Sequence, residues 1–298
     1  MIVISRIRLT LLGLLALSCV AYAQDKAPEF ARVVHDADNR PRALQMSIAS
    51  YAPAAGDSLL QVDLVGAIHI GDPAYYAELN DRFREYDVLL YELVAPEGVS
   101  GDRLEKRKGI LSSTQIGMTK MLDLSFQLDE INYDVANFVH ADLSPDELRA
   151  SMEERGESLY VYFWRIFFAT MNEYAKDPLG LRDMEMLSGM IAAEQDNSFK
   201  VMIAYEMTDI DSVQDVLGDD SSNAVIGARN QRAIDVLQRE IEGGATRIGI
   251  FYGVAHMPDL EERLADQLGL SWQSTDWVDA WQLGDGDRGT PRKDLNNK

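Results

Sequence analysis

Two histidines of this chain follow strand-like runs in the same way. His69 comes three residues after Gly66, and His256 comes three residues after Gly253. In parallel α/β sheets, sites form at the carboxyl ends of strands, and a glycine there lets a ligand or a second backbone approach closely. We therefore expect Gly66 and Gly253 to border the substrate and both imidazoles to enter one shared site.

An acidic residue follows a third strand-like run. Glu92 ends the apolar stretch from Val88 to Tyr91, so we expect it at the same edge of the sheet as His69 and His256. Two neutral imidazoles and one carboxylate suit a divalent ion such as zinc, manganese or cobalt, with open positions for water and substrate. The sequence predicts that these three side chains hold such an ion, which would lower the pKa of its bound water.

The other two of the four histidines differ in setting. His140 lies at the end of a strand-like stretch, two residues before Asp142. Both side chains are candidates for contact with the substrate or for hydrogen bonds to the groups that hold the ion. His35 lies in a polar N-terminal stretch, and we expect it to be a solvated bystander.

A cationic and an amide side chain stand together at the start of an amphipathic helix. Arg229 and Asn230 could orient a substrate carbonyl or stabilise an oxyanion through charge-assisted hydrogen bonds. The alternative is an ordinary pair on the helix surface.

Several common catalytic motifs are missing from the sequence. It has no Gly-x-Ser-x-Gly elbow, no glycine-rich phosphate loop and no His-Glu-x-x-His helix, which argues against serine hydrolases, nucleotide enzymes and the commonest zinc peptidases. A purely structural role for His69 and His256 is the alternative. Substituting either residue would then lower stability without affecting any ligand.

The order of the predicted elements indicates an α/β fold with a mixed, largely parallel central sheet flanked by helices. Strands are predicted at residues 43–51, 59–68, 88–91, 199–207, 247–254 and 272–281, and helices after Pro73, at 224–242 and at 259–268. The strand, helix and strand from residue 59 to residue 91 form a βαβ unit.

One domain is predicted at residues 24–283, with a mostly helical insertion at 98–218. The insertion contains an aromatic helix from Leu159 to Tyr174, which is apolar nearly all round. Such a helix is typical of a buried core, and a lid or a dimer face is the alternative. The polar residues 284–298 are expected to form a disordered tail.

The N-terminal residues have the pattern of a signal peptide. Arg6 and Arg8 precede an apolar run from Leu9 to Ala23, which is too short to span a bilayer comfortably. Cleavage after Ala23 predicts an exported mature chain with no transmembrane span. That chain would also lose Cys19, the one cysteine, and with it any disulfide or thiolate ligand. A lipid anchor on Cys19 is the alternative.

The chain is strongly acidic. Its formal net charge is -21, and loss of Arg6 and Arg8 would make it about -23. This charge opposes binding to nucleic acid or to anionic membrane surfaces. We therefore expect no nucleic acid as a partner. The chemistry of the candidate site favours a peptide or a small molecule as the substrate.

Four segments resemble the TraB/GumN family, in order over most of the predicted mature chain. They surround the pairs Gly66 and His69, Tyr91 and Glu92, Arg229 and Asn230, and Gly253 and His256. That family includes the TIKI-type proteases and is grouped with the erythromycin-esterase and ChaN-like fold. The resemblance implies an α/β fold with a helical insertion, a metal-dependent peptidase or other hydrolase, and a location in the periplasm of a Gram-negative bacterium. By carry-over, the residues that line the site would be His69, Glu92, Arg229, Asn230 and His256.

The leading hypothesis is therefore an exported, metal-dependent hydrolase with peptide bonds as the favoured target. A hypothesis from another class is a non-catalytic binding protein. It would be either a carrier of haem or another small ligand, or a protein that sequesters a peptide.

Overall fold

The computed structural model describes residues 29–54, 59–95, 124–155, 198–208 and 224–284. Several expectations fall outside these ranges: the signal peptide, the aromatic helix at 159–174, most of the insertion at 98–218, and the tail after Gly284. Within the described residues, no helix is long and apolar enough to cross a membrane.

The described strands build one large sheet and one small one. They are β1 (Ala31–His35), β2 (Pro41–Pro53), β3 (Gln61–Ala67), β4 (Ile70–Gly71), β5 (Val88–Tyr91), β6 (Ser125–Phe126), β7 (Phe138–His140), β8 (Arg247–Gly253) and β9 (Leu270–Gln282). In the large sheet the order is β1, β2, β3, β8, β5 and β7, and β9 pairs with β2. Strands β4 and β6 pair with each other.

Four neighbouring strands of the large sheet run parallel. Strand β8 pairs in parallel with β3 on one side and with β5 on the other, and β5 pairs in parallel with β7. Strands β1, β3 and β9 each pair with β2 in the antiparallel sense. The prediction of a mixed, largely parallel central sheet is confirmed, with β8 lying between the two strands of the predicted βαβ unit.

Helices cover both faces of this sheet. The described helices are α1 (Pro73–Phe83), α2 (Gln127–Glu130), α3 (Pro145–Glu154), α4 (Ser198–Glu206), α5 (Arg229–Glu242) and α6 (Met257–Leu268). Side chains of α1 pack with Leu89 and Phe251 on one face, and side chains of α5 and α6 pack with Leu90 and Ile250 on the other. The alternation of side chains along each strand thus divides the core into two layers.

One predicted strand is a helix. Residues 199–206 lie in α4, which places the Lys200 side chain against Asp72 and leaves Glu206 exposed on the surface. A short apolar run has the same appearance in a buried strand and in a packed helix, so its periodicity could not separate the two. Strand β1 lies in a stretch for which no strand was predicted.

Two helix ends have local signals that can be recognised in the sequence, and a third does not follow its signal. Ser144 and Glu147 form a complete capping box at the start of α3, and Gly269 ends α6 in the left-handed conformation. Asp72 occupies the N-cap position of α1, but its carboxylate accepts hydrogen bonds from Lys200 and from the backbone of Gln282 instead of capping the helix.

Candidate functional site

Charged side chains meet at the carboxyl edge of the parallel strands. Glu92 directly follows β5, Asp142 follows β7, and His256 follows β8 after a single 3₁₀ turn, Val254–His256. Arg229 reaches them from the first residue of α5. This is the edge at which ligands bind in open α/β sheets.

Arg229 lies at the centre of the cluster. Its Nε and Nη2 donate to the two carboxylate oxygens of Asp142 at 2.9 and 2.7 Å, and Nη2 also donates to Glu92 Oε1 at 2.6 Å. Burial acts to lower the pKa of Arg229, but the hydrogen bonds to Asp142 and the charge of Glu92 outweigh it and raise that pKa. The guanidinium is therefore a fixed positive charge.

Glu92 is held at both oxygens. Oε1 accepts from Arg229, and Oε2 accepts from the backbone N–H of Gly253 at 2.6 Å. Burial acts to raise the pKa of Glu92, but the charges of His256 and Arg229 and the Gly253 hydrogen bond lower it to about 2. A Cβ atom on Gly253 would lie 3.2 Å from Glu92 Oε2, so the glycine allows this close approach.

His256 is buried, and its tautomer is determined by its neighbours. Nδ1 lies 2.6 Å from Oδ1 of Asn230, which only accepts hydrogen bonds, so Nδ1 carries the proton. Nε2 lies 3.6 Å from Glu92 Oε1 and 3.5 Å from Arg229 Nη1. Burial, opposed by the charge of Glu92, lowers the pKa of His256 to about 4, so the imidazole is neutral at pH 7.

Asn230 lies behind His256, in the interior of the protein. Its side chain has no exposed surface. Nδ2 donates to the backbone oxygen of His256 at 3.1 Å and to Asp259 Oδ2 at 2.7 Å. Asp259 in turn binds Arg263 through both oxygens, at 2.6 and 3.1 Å. Asn230 therefore holds His256 through both its ring and its backbone oxygen, and the predicted contact of Asn230 with a substrate carbonyl stays a prediction.

His69 lies on the exposed rim of the site. Its Nδ1 is 3.3 Å from Gln127 Oε1, and its backbone oxygen accepts from the Gln127 N–H at 2.9 Å. His69 follows β3 by two residues, which places it at the carboxyl edge of the sheet. A positive charge on its ring is among the influences that lower the pKa of Glu92. The structure thus brings His69, Glu92 and His256 to one edge of the sheet.

Two other candidate residues have different surroundings. His140 Nε2 donates to the Leu93 backbone oxygen at 2.6 Å, and its ring packs edge-on against Tyr91. A Cβ atom on Gly66 would meet its nearest neighbours at 3.6 Å, which is ordinary van der Waals contact. Gly66 therefore does not provide the close approach that Gly253 does.

The sequence analysis did not identify the residues that form hydrogen bonds, directly or through one another, with the candidate histidines and with Asn230. Gln127, Tyr133, Asp259 and Arg263 were not among the candidates, although Asp259 and Arg263 have the four-residue spacing of a helical ion pair. Nothing in the sequence near Gln127 indicates that it reaches His69, because that contact depends on how β4 and β6 pair.

The predicted ligand set is present without a ready-made metal centre. Among the residues that the structure describes, no group of three or more His, Cys, Asp or Glu side chains is arranged to hold a metal ion. Arg229 supplies the positive charge beside Glu92 in this arrangement.

Comparison with known proteins identifies no relative. The chain matches no family model, no curated protein and no solved structure. The structure defines an α/β protein with a buried ionic cluster at the carboxyl edge of its parallel strands.

Proposed function

We propose that this protein is an exported metal-dependent hydrolase, with peptide bonds as its favoured substrates, as the resemblance to the TraB/GumN family implies. One observation carries the proposal: Glu92 Oε1, His256 Nε2 and the Arg229 guanidinium face one another at the edge of the sheet where ligands bind. A carboxylate, an unprotonated imidazole nitrogen and a fixed cation are the groups from which sites for carbonyl hydrolysis are built.

The protonation states of the donors fit a divalent ion. Metal ligands must be deprotonated, and the lowered pKa values of Glu92 and His256 keep both of them so at neutral pH. The cluster of Glu92, Asp142 and Arg229 carries one net negative charge, which favours a further cation. His69, Glu92 and His256 would hold the ion, and zinc, manganese and cobalt suit this donor set. When bound, the ion would supply a water of lowered pKa and polarise a carbonyl oxygen.

Arg229 Nη1 is the nitrogen that could donate a hydrogen bond to the substrate. The Nε and Nη2 atoms of this residue are committed to Asp142 and Glu92. Among the residues that the structure describes, Nη1 makes two long contacts of 3.5 Å, to Val225 O and to His256 Nε2. A carbonyl oxygen could replace these contacts with a shorter, charge-assisted hydrogen bond. Arg229 would then orient the scissile carbonyl and stabilise the negative charge that develops on its oxygen.

The test measures metal content and cleavage separately. Wild-type protein, His69→Ala and His256→Ala are dialysed in buffers free of chelators, analysed for divalent ions by mass spectrometry and incubated with a mixed peptide library. His35→Ala is the matched control, because His35 lies on β1 and contacts only Tyr205 among the hydrogen-bonding side chains described. We expect wild type and control to retain a stoichiometric ion and to cleave peptides, and each site variant to lose about tenfold or more in both.

Two outcomes would overturn the proposal. One is a wild-type protein that holds no divalent ion and leaves every peptide intact. The other is stoichiometric peptide or haem binding without turnover, which would assign the site to a carrier or sequestering protein.

A further inference from the structure

The two site histidines share one arrangement of hydrogen bonds. His256 Nδ1 lies 2.6 Å from the Asn230 amide oxygen, and His69 Nδ1 lies 3.3 Å from the Gln127 amide oxygen. An amide oxygen is only an acceptor, so with the amides in these orientations Nδ1 carries the proton and Nε2 carries the lone pair in both rings. The two imidazoles follow different strands, β3 and β8, and their amide partners lie on different helices.

The orientation of each amide determines the tautomer of its histidine. The Asn230 amide cannot rotate, because its Nδ2 donates to the His256 backbone oxygen and to the Asp259 carboxylate, which are both acceptors. The Gln127 amide donates from Nε2 to the Tyr133 hydroxyl at 2.9 Å, which leaves Oε1 to His69. Tyr133 holds the far side of the Gln127 amide. Because a hydroxyl donates as well as accepts, the Nδ1–H form of His69 follows from this orientation of the amide and is the property that the NMR experiment measures.

Gln127 is tied to His69 more firmly than a single side-chain contact would require. The backbone N–H of Gln127 donates to the His69 backbone oxygen at 2.9 Å, next to the pairing of Ile70 with Phe126. The Gln127 residue is 7% exposed although its amide is polar, so its hydrogen bonds are made to protein groups. Gln127 therefore contacts His69 through both its backbone N–H and its side-chain amide.

We propose that Gln127 is a positioning residue, which holds His69 as the Nδ1–H tautomer and keeps its Nε2 lone pair available to a ligand at the Glu92 site. Asn230 does the same for His256. The role in catalysis rests on the proposed hydrolase function, whereas the tautomer itself does not.

The test reads the tautomer directly. Protein labelled with ¹⁵N in its histidines is studied by long-range proton–nitrogen NMR at about pH 8, where imidazoles are neutral. Only four histidines need assignment, and His→Ala variants provide it. We expect Nδ1–H for His69 and His256. We expect Nε2–H for His140, which donates from Nε2 to Leu93 and so serves as the internal control.

Substitutions then separate positioning from folding. Gln127→Leu removes the acceptor, and we expect His69 to become a mixture of tautomers while His256 is unchanged. Gln127→Glu keeps an acceptor oxygen and should restore the Nδ1–H form. Tyr133→Phe frees the Gln127 amide to rotate and should weaken the preference in a protein that keeps its packing. Hydrolysis, if present, should fall about 10- to 100-fold in Gln127→Leu and recover in Gln127→Glu.

The NMR experiment tests the positioning role independently of the enzyme assay. An Nε2–H form of His69 in the wild type, or a tautomer that Gln127→Leu and Tyr133→Phe both leave unchanged, would overturn the positioning role whatever the activity. The expected tautomers in a protein without hydrolase activity would support the positioning role and contradict the proposed function alone.

Discussion

Asp142 binds Arg229 through both of its carboxylate oxygens, in a pair whose carboxylate is fully buried. Two parallel N–H···O bonds hold the guanidinium in one plane. That plane sends Nη2 to Glu92 and Nη1 towards His256. A fully buried carboxylate thus sets the direction of the guanidinium nitrogens that face Glu92 and His256.

Asp142→Asn should destabilise the protein and impair the site together. The variant keeps the shape of the side chain, and Glu92 still balances the charge of Arg229. Its amide N–H₂, however, faces the guanidinium where a carboxylate oxygen had accepted, so one buried charge-assisted hydrogen bond is lost, at a cost of about 2 kcal/mol or more. Chemical denaturation measures this loss. Asp146→Asn breaks the exposed pair of Asp146 with Arg149 and should change the free energy of unfolding by less than about 0.5 kcal/mol. Equal effects of the two substitutions would contradict the central role given to Asp142.

Gly253→Ala should disturb Glu92, whereas Gly66→Ala should not. A methyl group at 253 would lie 3.2 Å from Glu92 Oε2, so the carboxylate must shift and its hydrogen bond to the Gly253 N–H must lengthen. At position 66 the same methyl group meets ordinary contacts at 3.6 Å. We expect activity to fall about tenfold in Gly253→Ala. Gly66→Ala should keep nearly all of it, although the two glycines occupy the same place in their sequence motifs.

Protonation of His256 should make the protein less stable below neutral pH. Its pKa is lowered by burial from 6.5 to about 4, so between these values the unfolded chain binds a proton that the native protein does not. Stability contributed by the neutral ring is therefore complete above about pH 6.5 and is lost as the pH falls towards 4. Urea denaturation at a series of pH values measures this slope. It should persist in His35→Gln and become shallower in His256→Gln, and an unchanged slope in the latter would contradict the assignment.

Glu92 should extend the loss of stability to lower pH. Its pKa is about 2, below the ordinary value of 4.5, so its contribution is present above about pH 4.5 and is lost as the pH falls towards 2. Glu92→Gln removes this titration and leaves the amide beside Arg229. We expect a smaller decrease in stability between pH 4.5 and 2 than in wild type, measured by circular dichroism during denaturation. An identical decrease would mean that other carboxylates account for it.

The N-terminal prediction has a direct test in a Gram-negative host. Protein recovered from the periplasm should begin at Gln24, because the Ala21-Tyr22-Ala23 sequence is typical of a signal-peptidase site. Intact-mass measurement identifies the end. Cys19→Ser should leave processing unchanged, whereas a membrane-bound product that begins at a modified Cys19 would contradict cleavage after Ala23.

The sequence was informative wherever a local rule applied. Apolar runs located β3, β5 and β8, and the rule that sites form at strand ends placed Glu92 and His256 at one edge. The apolar run at 199–207 was wrong as a strand because helix and strand compete for such runs, and the packing around Ala204 decides between them.

The hydrogen-bond partners of the site residues could not be predicted from local sequence patterns. Asn230 contacts Asp259 on another helix, and His69 contacts Gln127, which lies 58 positions further along the chain. Neither pair has a spacing that a helix or a strand would repeat. Roles that depend on such contacts, including the orientation of both imidazoles, become visible only when the chain is folded.

Because β8 lies between β3 and β5, the site can form only after β8 has been synthesised. A ribosome or a translocation channel releases β3 and β5 long before residues 247–253, and without those residues the two earlier strands have no partner between them. Glu92 likewise lacks the amide of Gly253 until that strand arrives. Contacts of such long sequence separation form late and slowly. The chain therefore stays without its ionic cluster, and without any activity that depends on it, until almost all of it has emerged.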